Sequence, residues 1–229
     1  TLMGVGEYFT IIDRIGISGF PIHGIILSFL LLLSFYFNGS FMMEWGLIAS
    51  VTLFAAWFFH EDNVKVAMDQ ISFTLFGVLY VAGLGGYSLL IRNFGDGERL
   101  IFFLLLIVWL GDIAAYYWGK HFGKKPLAPV VSPNKTMEGA IAGLVGSLAA
   151  GAIAGYWFLG HIAMAHCLLV ALICGTIGQF GDLAESLLKR HVGIKNSGDV
   201  LPGHGGILDR IDSLLFAGPM FYCYFKLVL

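Results

Sequence analysis

The sequence predicts an all-α fold: a polytopic integral membrane helical bundle with about seven transmembrane helices. Three observations carry this. Of the 229 residues, 58% are hydrophobic and only 12% are charged, about half the charge of a soluble domain. The mean hydropathy is +0.82. The apolar residues also run in long stretches without the alternation of a membrane strand, and a crossing helix needs about 20 of them. This composition excludes an ordinary soluble enzyme, a disordered tail and a nucleic-acid binder with a basic face. The net charge of −2 gives no steering toward polyanions.

The elements follow in order. A charge-free run from Ile15 to Met43 holds a span at 19–37, closed by a turn at Asn38 and Gly39. A second span covers 41–59, with Glu44 near one end, and a third covers 71–91. The fourth, 100–118, contains Asp112. An unpaired carboxylate there is costly, so Asp112 is expected to face the bundle interior. The fifth span, 139–159, carries two G-x-x-x-G pairs, Gly139/Gly143 and Gly151/Gly155. It is expected to pack closely against its neighbours. The sixth starts near 162 and runs past 180, and the seventh covers 208–228. Strands are not expected. Cys167, Cys174 and Cys223 lie in apolar runs without metal-ligand spacing and read as small buried hydrophobes. The chain opens on Thr1 with no cleavable signal peptide visible, so sequence upstream is expected.

With seven spans, ten of the 13 basic residues fall on one side and three, Arg92, Arg99 and Lys226, on the other. The rich side is expected to be cytoplasmic.

The chemistry concentrates on that side. Residues 182–212 hold nine of the 28 charges. Asp182, Glu185 and Lys189 are spaced to share one helical face, and Glu185–Lys189 is an i, i+4 pair. The alternative is a solvated, self-paired helix end. The segment "LPGHGGILDRID" sets Pro202, Gly203, His204, Gly205 and Gly206 before Asp209, Arg210 and Asp212. A Gly-rich loop can turn successive N–H groups toward a phosphate. Asp209 and Asp212, three apart at a helix start, suit a Mg²⁺ ion beside phosphates. They also suit plain complementation of the helix dipole. In "SPNKTMEG", residues 132–139, Ser132 or Asn134 is expected to cap the fifth span. That leaves Lys135 and Thr136 at its N-terminus, with Lys135 either a phosphate ligand or a snorkelling lysine. Together these groups suit phosphoryl or nucleotidyl transfer to a substrate with an apolar tail.

Residues 186–212, "SLLKRHVGIKNSGDVLPGHGGILDRID", resemble the signature of the phosphatidate cytidylyltransferases, or CDP-diacylglycerol synthases. "SPNKTMEG" and "GDLAES" also look like segments of that family. Asn196 departs from it, standing where the family usually has an acid. The similarity covers about residues 100–229. It implies a catalytic membrane domain there, after three N-terminal spans in 1–99. The implied reaction is transfer of the cytidylyl group of CTP to phosphatidic acid, giving CDP-diacylglycerol and pyrophosphate for phospholipid synthesis.

The resemblance also implies a cytoplasm-facing site in an integral membrane protein, a Mg²⁺ requirement with room for a second cation, and a homodimer in the lipid bilayer. Carried over by position, Asp182 and Asp209 hold the metal. Asp212, Glu185 and Asp112 stand behind them or at a second cation. Lys189, Arg190, Lys195 and Arg210 hold phosphates, and Asp182, Lys189, Asp209, Arg210 and Asp212 form the catalytic set. Lys135, Thr136, Gly203, His204, Gly205 and Gly206 line the substrate, with His204 either donating to a phosphate or ordering its loop. Two other readings stand beside this one: a CTP-dependent enzyme with a different lipid acceptor, such as a polyprenol kinase or an archaeol cytidylyltransferase, and a cation transporter. A transporter is disfavoured because the charges cluster at one face rather than at the midplane of several spans.

Overall fold

The computed structural model describes residues 1–14, 16, 19–58, 64–194, 197–198 and 205–228. Helices α1 (Leu2–Asp13), α2 (Pro21–Tyr36), α3 (Met42–Phe58) and α4 (Val64–Gly77) come first. A π-helical turn, Val78–Gly83, joins α4 to α5 (Leu84–Arg92). Then come α6 (Gly97–Phe122), strands β1 (Pro126–Ala128) and β2 (Ser132–Thr136), and helices α7 (Met137–Trp157), α8 (Met164–His191) and α9 (Leu208–Val228).

Every expected span coincides with a helical stretch, but the seven are not alike. Lys65–Arg92, α6, α7, α8 and α9 are long and apolar enough to cross a membrane. Helices α2 and α3 are apolar but only 16 and 17 residues long. At 1.5 Å per residue α2 reaches about 24 Å, short of a hydrocarbon core of about 30 Å. Length therefore supports five crossings, and a count of seven is not established. Large apolar side chains such as Ile22, Val51, Trp109, Val145 and Leu169 lie exposed on these helices, as lipid-facing residues do. The chain is an integral membrane protein.

The described chain divides into two compact units, Thr1–Leu90 with His191–Arg210, and Ile91–Arg190 with Ile211–Leu229. In this division 191–210 group with the N-terminal helices. Within that unit Ser197 Oγ and the N–H groups of Ile207 and Leu208 bond to Glu7 on α1.

In the first unit, α1 packs on α2, α4 and the π turn through Tyr8, Phe9, Ile11 and Ile12. The Tyr8 hydroxyl donates to the Phe73 carbonyl at 2.9 Å. Its ring lies where a Cβ on Gly77 would stand, so only glycine admits it. Trp45 Nε1 donates to the Leu27 carbonyl at 2.9 Å and ties α3 to α2. The turn expected at Asn38–Gly39 is present, with φ of 56° and 76°, conformations that Asn and Gly adopt most readily.

In the second unit, α6 and α7 form a close antiparallel pair around the hairpin. Their glycines allow the approach. A Cβ on Gly139 would stand 2.9 Å from the Ala115 carbonyl oxygen, and one on Gly151 2.7 Å from that of Cys167 on α8. The expectation of a close-contact helix in the fifth span is met. The core joins Phe103, Ile107, Ala150, Cys167, Val170, Cys174 and Phe221. Cys167 and Cys174 are buried as expected, but Cys223 is exposed on α9.

The hairpin lies between the fourth and fifth apolar runs and was not anticipated from the sequence. Pro126 pairs with Thr136 and Ala128 with Ser132 in an antiparallel register. These strands are too short to show a period-2 pattern, and their prolines suit an edge. The hairpin corrects the expected cap. Ser132 and Asn134 lie within β2, and Thr136 caps α7, its Oγ1 accepting from Gly139 N–H at 3.1 Å.

Candidate active site

In the second unit a cavity of about 610 Å³ opens between α6, the hairpin, α7 and α8. Helix α6 supplies Asp112, Tyr116 and Lys120. The hairpin supplies Ser132, Asn134, Lys135 and Thr136, and α8 supplies Gln179 and Asp182. Asp112 thus faces the interior between these helices, as expected, and is solvent-accessible on the cavity wall. Lys135 forms an ion pair with Asp182. That pair draws β2 and α8 together across the cavity and gives it one anionic and one cationic group side by side.

The walls are held by bonds the sequence did not advertise. Glu138, in the first turn of α7, accepts from the N–H groups of Lys124 (3.0 Å) and Lys125 (3.2 Å) through Oε2, which fixes the approach to the hairpin. Gln179 Nε2 donates to the Ala140 carbonyl at 3.1 Å, which turns α8 toward α7. Arg190 Nε donates to the Val131 carbonyl at 3.2 Å. A group expected to hold phosphate therefore braces the hairpin turn here.

Below the cavity lie further carboxyls. Lys189 Nζ pairs with Glu185 Oε2 at 2.8 Å, and Glu185 is fully buried. The expected i, i+4 pair forms, inside the protein rather than at a solvated helix end. Gly181 lets α8 approach α9, since a Cβ there would stand 2.6 Å from the Asp212 carbonyl oxygen. Asp212 is buried, with Oδ1 accepting from Ser213 N–H at 2.6 Å. Asp182 lies close enough for its charge to act on Asp112 and Asp212, and Glu185 acts on Asp212 as well. Among the described residues, however, no three His, Cys, Asp or Glu side chains converge closely enough to hold a metal ion. The four carboxylates of this unit assigned to metal from the sequence, Asp112, Asp182, Glu185 and Asp212, form no such group of three.

In the first unit, Asp209 organises the end of the signature. Its Oδ2 accepts from Ser197 N–H (3.0 Å), Ser197 Oγ (2.9 Å) and Gly206 N–H (3.1 Å). Glu7 accepts from Ile207 N–H through Oε1 and from Leu208 N–H through Oε2, both at 2.8 Å. Of the Gly-rich loop, Gly206 N–H is thus taken by Asp209, and the Ile207 and Leu208 N–H groups that follow it are taken by Glu7. Gly205, with φ of 79°, makes the turn, and Arg210 is exposed at the start of α9. Lys195, Gly203 and His204, and the departure at Asn196, lie outside the described residues.

Glu7, Ser197, Glu138 and Gln179 were missed from the sequence. Each acts through backbone groups distant in the chain. The one visible signal was a lone carboxylate, Glu7, inside the apolar run "LMGVGEYFTII".

Comparison with known proteins fits this arrangement. The chain is 44% identical to a phosphatidate cytidylyltransferase of Staphylococcus saprophyticus over 149 residues, 65% of this chain and 56% of that protein. It is 42% identical to one of Bacillus subtilis over 155 residues, 67% of this chain and 58% of the relative. Another from Staphylococcus epidermidis is 42% identical over 175 residues, 76% and 66% of the two chains. The aligned stretches thus span less than two thirds of these relatives' own length. The profile of the cytidylyltransferase family, by contrast, matches residues 1–228, nearly the whole sequence. The chain belongs to the cytidylyltransferase family.

Proposed function

We propose that this protein transfers the cytidylyl group of CTP to phosphatidic acid, releasing pyrophosphate and forming CDP-diacylglycerol. The observation that carries the reading is the cavity holding Asp112, Lys135 and Asp182 at the end of apolar helices, in a chain whose relatives are named phosphatidate cytidylyltransferase. A phosphate headgroup and a triphosphate need cations and donors, and a diacyl tail needs an apolar flank. This chain supplies both.

In this reading an oxygen of the lipid phosphate forms a bond to the α-phosphorus of CTP while the bond to the pyrophosphate oxygen breaks. The lipid phosphate is already an anion and requires no strong base. Lys135 leaves Asp182 to meet the incoming phosphates, while Lys120 adds positive charge for the leaving group. Thr136 and the cap it makes hold the start of α7 rigid beside the reacting groups. Asp112 and Asp182, with Asp212 and Glu185 behind them, fit a divalent cation by donor chemistry. All four are hard oxygen donors whose mutual repulsion a cation relieves. Mg²⁺, when bound, neutralises charge on the triphosphate. The site faces the cytoplasm, where CTP is made, and the protein works as a homodimer.

The test is pyrophosphate release by protein purified in detergent with CTP, phosphatidic acid and Mg²⁺. Parallel reactions omit the lipid, replace CTP by ATP, or replace phosphatidic acid by a polyprenol. Release that needs CTP and phosphatidic acid together is expected. Formation of CDP with the polyprenol instead, as transfer of the γ-phosphate requires, gives the acceptor to the other lipid class, and no pyrophosphate from folded protein refutes the reading.

A further inference from the structure

Helix α1 lies almost 200 residues from the signature, yet it holds the signature's last turn. Glu7 is buried, with 5% of its surface exposed. A carboxylate so placed is costly unless donors surround it, and three do: Ile207 N–H and Leu208 N–H, each at 2.8 Å, and Ser197 Oγ at 3.2 Å. The two N–H groups belong to the start of α9, whose own flanking residue, Ile207, has no side-chain acceptor. Glu7 therefore caps α9 from another helix and meets the positive end of its dipole.

Ser197 extends the arrangement. Its hydroxyl lies 3.2 Å from Glu7 Oε2 and 2.9 Å from Asp209 Oδ2, and its single proton serves both. The glycines on either side make room for this junction. A Cβ on Gly206 would overlap Ser197 Oγ and stand 2.6 Å from Glu7 Oε2, and one on Gly198 would stand 3.2 Å from Glu7 Oε1. Tyr8, the next residue, anchors α1 on the other side through the Phe73 carbonyl. The helix is fixed from below while Glu7 grips the loop.

We propose that Glu7 is a positioning residue for cytidylyl transfer: its carboxylate fixes the 206–208 backbone and, through Ser197, the side chain of Asp209, and so sets the geometry of the signature turn in which the family resemblance places substrate- and metal-holding residues. This rests on the function proposed above. Three variants of the full chain test it by equilibrium binding of CTP with Mg²⁺ and no lipid, since a dissociation constant does not depend on how much of a sample is irreversibly inactive, and melting curves show that each variant is folded at the assay temperature. Glu7→Gln replaces an acceptor by a donor facing an N–H, and Ser197→Ala removes the bridge to Asp209. Each is expected to weaken CTP binding about tenfold, the effect of losing one hydrogen bond to a charged group. Tyr8→Phe removes only the anchor on the far side. It is expected to lower the melting temperature and leave CTP affinity unchanged.

Wild-type affinity in Glu7→Gln overturns the proposal. Should Glu7→Gln fail to fold, Ser197→Ala decides, and wild-type affinity there overturns the proposal equally. Equal weakening in Tyr8→Phe also overturns it, by showing a general effect of loosening α1. A wild-type chain that binds no CTP refutes the parent reading, and the positioning role falls with it.

Discussion

At the scale of single residues, Asp182 is the carboxylate on which the proposed chemistry most depends. It shares the cavity wall with Asp112 and is held by Lys135, so it stands between the protein's own cation and the space a substrate occupies. Asp182→Asn keeps the side-chain volume and removes the charge. It is expected to lower kcat/KM for CTP about a hundredfold, or about 2.7 kcal/mol of transition-state stabilisation. A melting curve close to wild type should accompany the loss, since the pair it breaks is partly exposed and such pairs add little stability. Near-wild-type turnover would remove Asp182 from the reaction. Asp182 and Lys189 were legible in the sequence because helical spacing fixes which residues share a face. The partnership of Lys135 with Asp182 was not, because it joins a strand to a helix 47 positions away. The direction of Asp209 was equally hidden. A carboxylate at a helix start serves an ion, a dipole or a loop with the same sequence, and here Oδ2 serves the loop.

At the scale of elements, long apolar runs declared themselves and short polar ones did not. Helices α6 to α9 follow from length and hydropathy, and the glycines of α7 announced close contact before any coordinates. The 126–136 hairpin stayed hidden because strands of three and five residues are shorter than the pattern that identifies a strand. Its consequence falls on α7. Thr136 ends β2 and caps the helix at once, and Glu138 in the same first turn holds the N–H groups of Lys124 and Lys125. Thr136→Ala removes the cap and is expected to cost about 1 kcal/mol of stability. Thr136→Ser keeps the hydroxyl and is expected to restore most of it. Thermal unfolding in one detergent compares the three proteins, and a Ser variant as unstable as the Ala variant would show that the methyl, not the cap, matters at this position. The same cap sets where Lys135 leaves the strand, so the Ala variant should also raise KM for CTP where the Ser variant does not.

For the whole molecule the question is which end of the bundle meets the cytoplasm, and the short helices α2 and α3 bear on it less than they first suggest. They are consecutive. If both cross, or neither does, every later segment stays on the same side, because removing two crossings preserves parity. The ten-to-three division of basic residues therefore survives the change from seven supported crossings to five. By the positive-inside rule it predicts the hairpin and its lysines on the cytoplasmic side and the 92–99 loop on the other. Helix α6 joins the two. Its 26 residues reach about 39 Å, enough to cross with polar ends outside the hydrocarbon. Asp96, Glu98 and Arg99 lie at one end and Lys120, Lys124 and Lys125 at the other. Single cysteines at Glu98 and Lys124, in a Cys223→Ser background with the buried Cys167 and Cys174 left in place, separate the two ends. In right-side-out vesicles from a bacterial host, a membrane-impermeant maleimide should label Glu98→Cys and spare Lys124→Cys, and inverted vesicles should reverse the pattern. The opposite labelling would place the cavity on the outer face, away from the CTP pool, and the proposed reaction would then lack its nucleotide. Labelling of both positions from one side would mean that α6 does not cross, and the reading of hydropathy that began with the sequence would fail at the most apolar of the long helices.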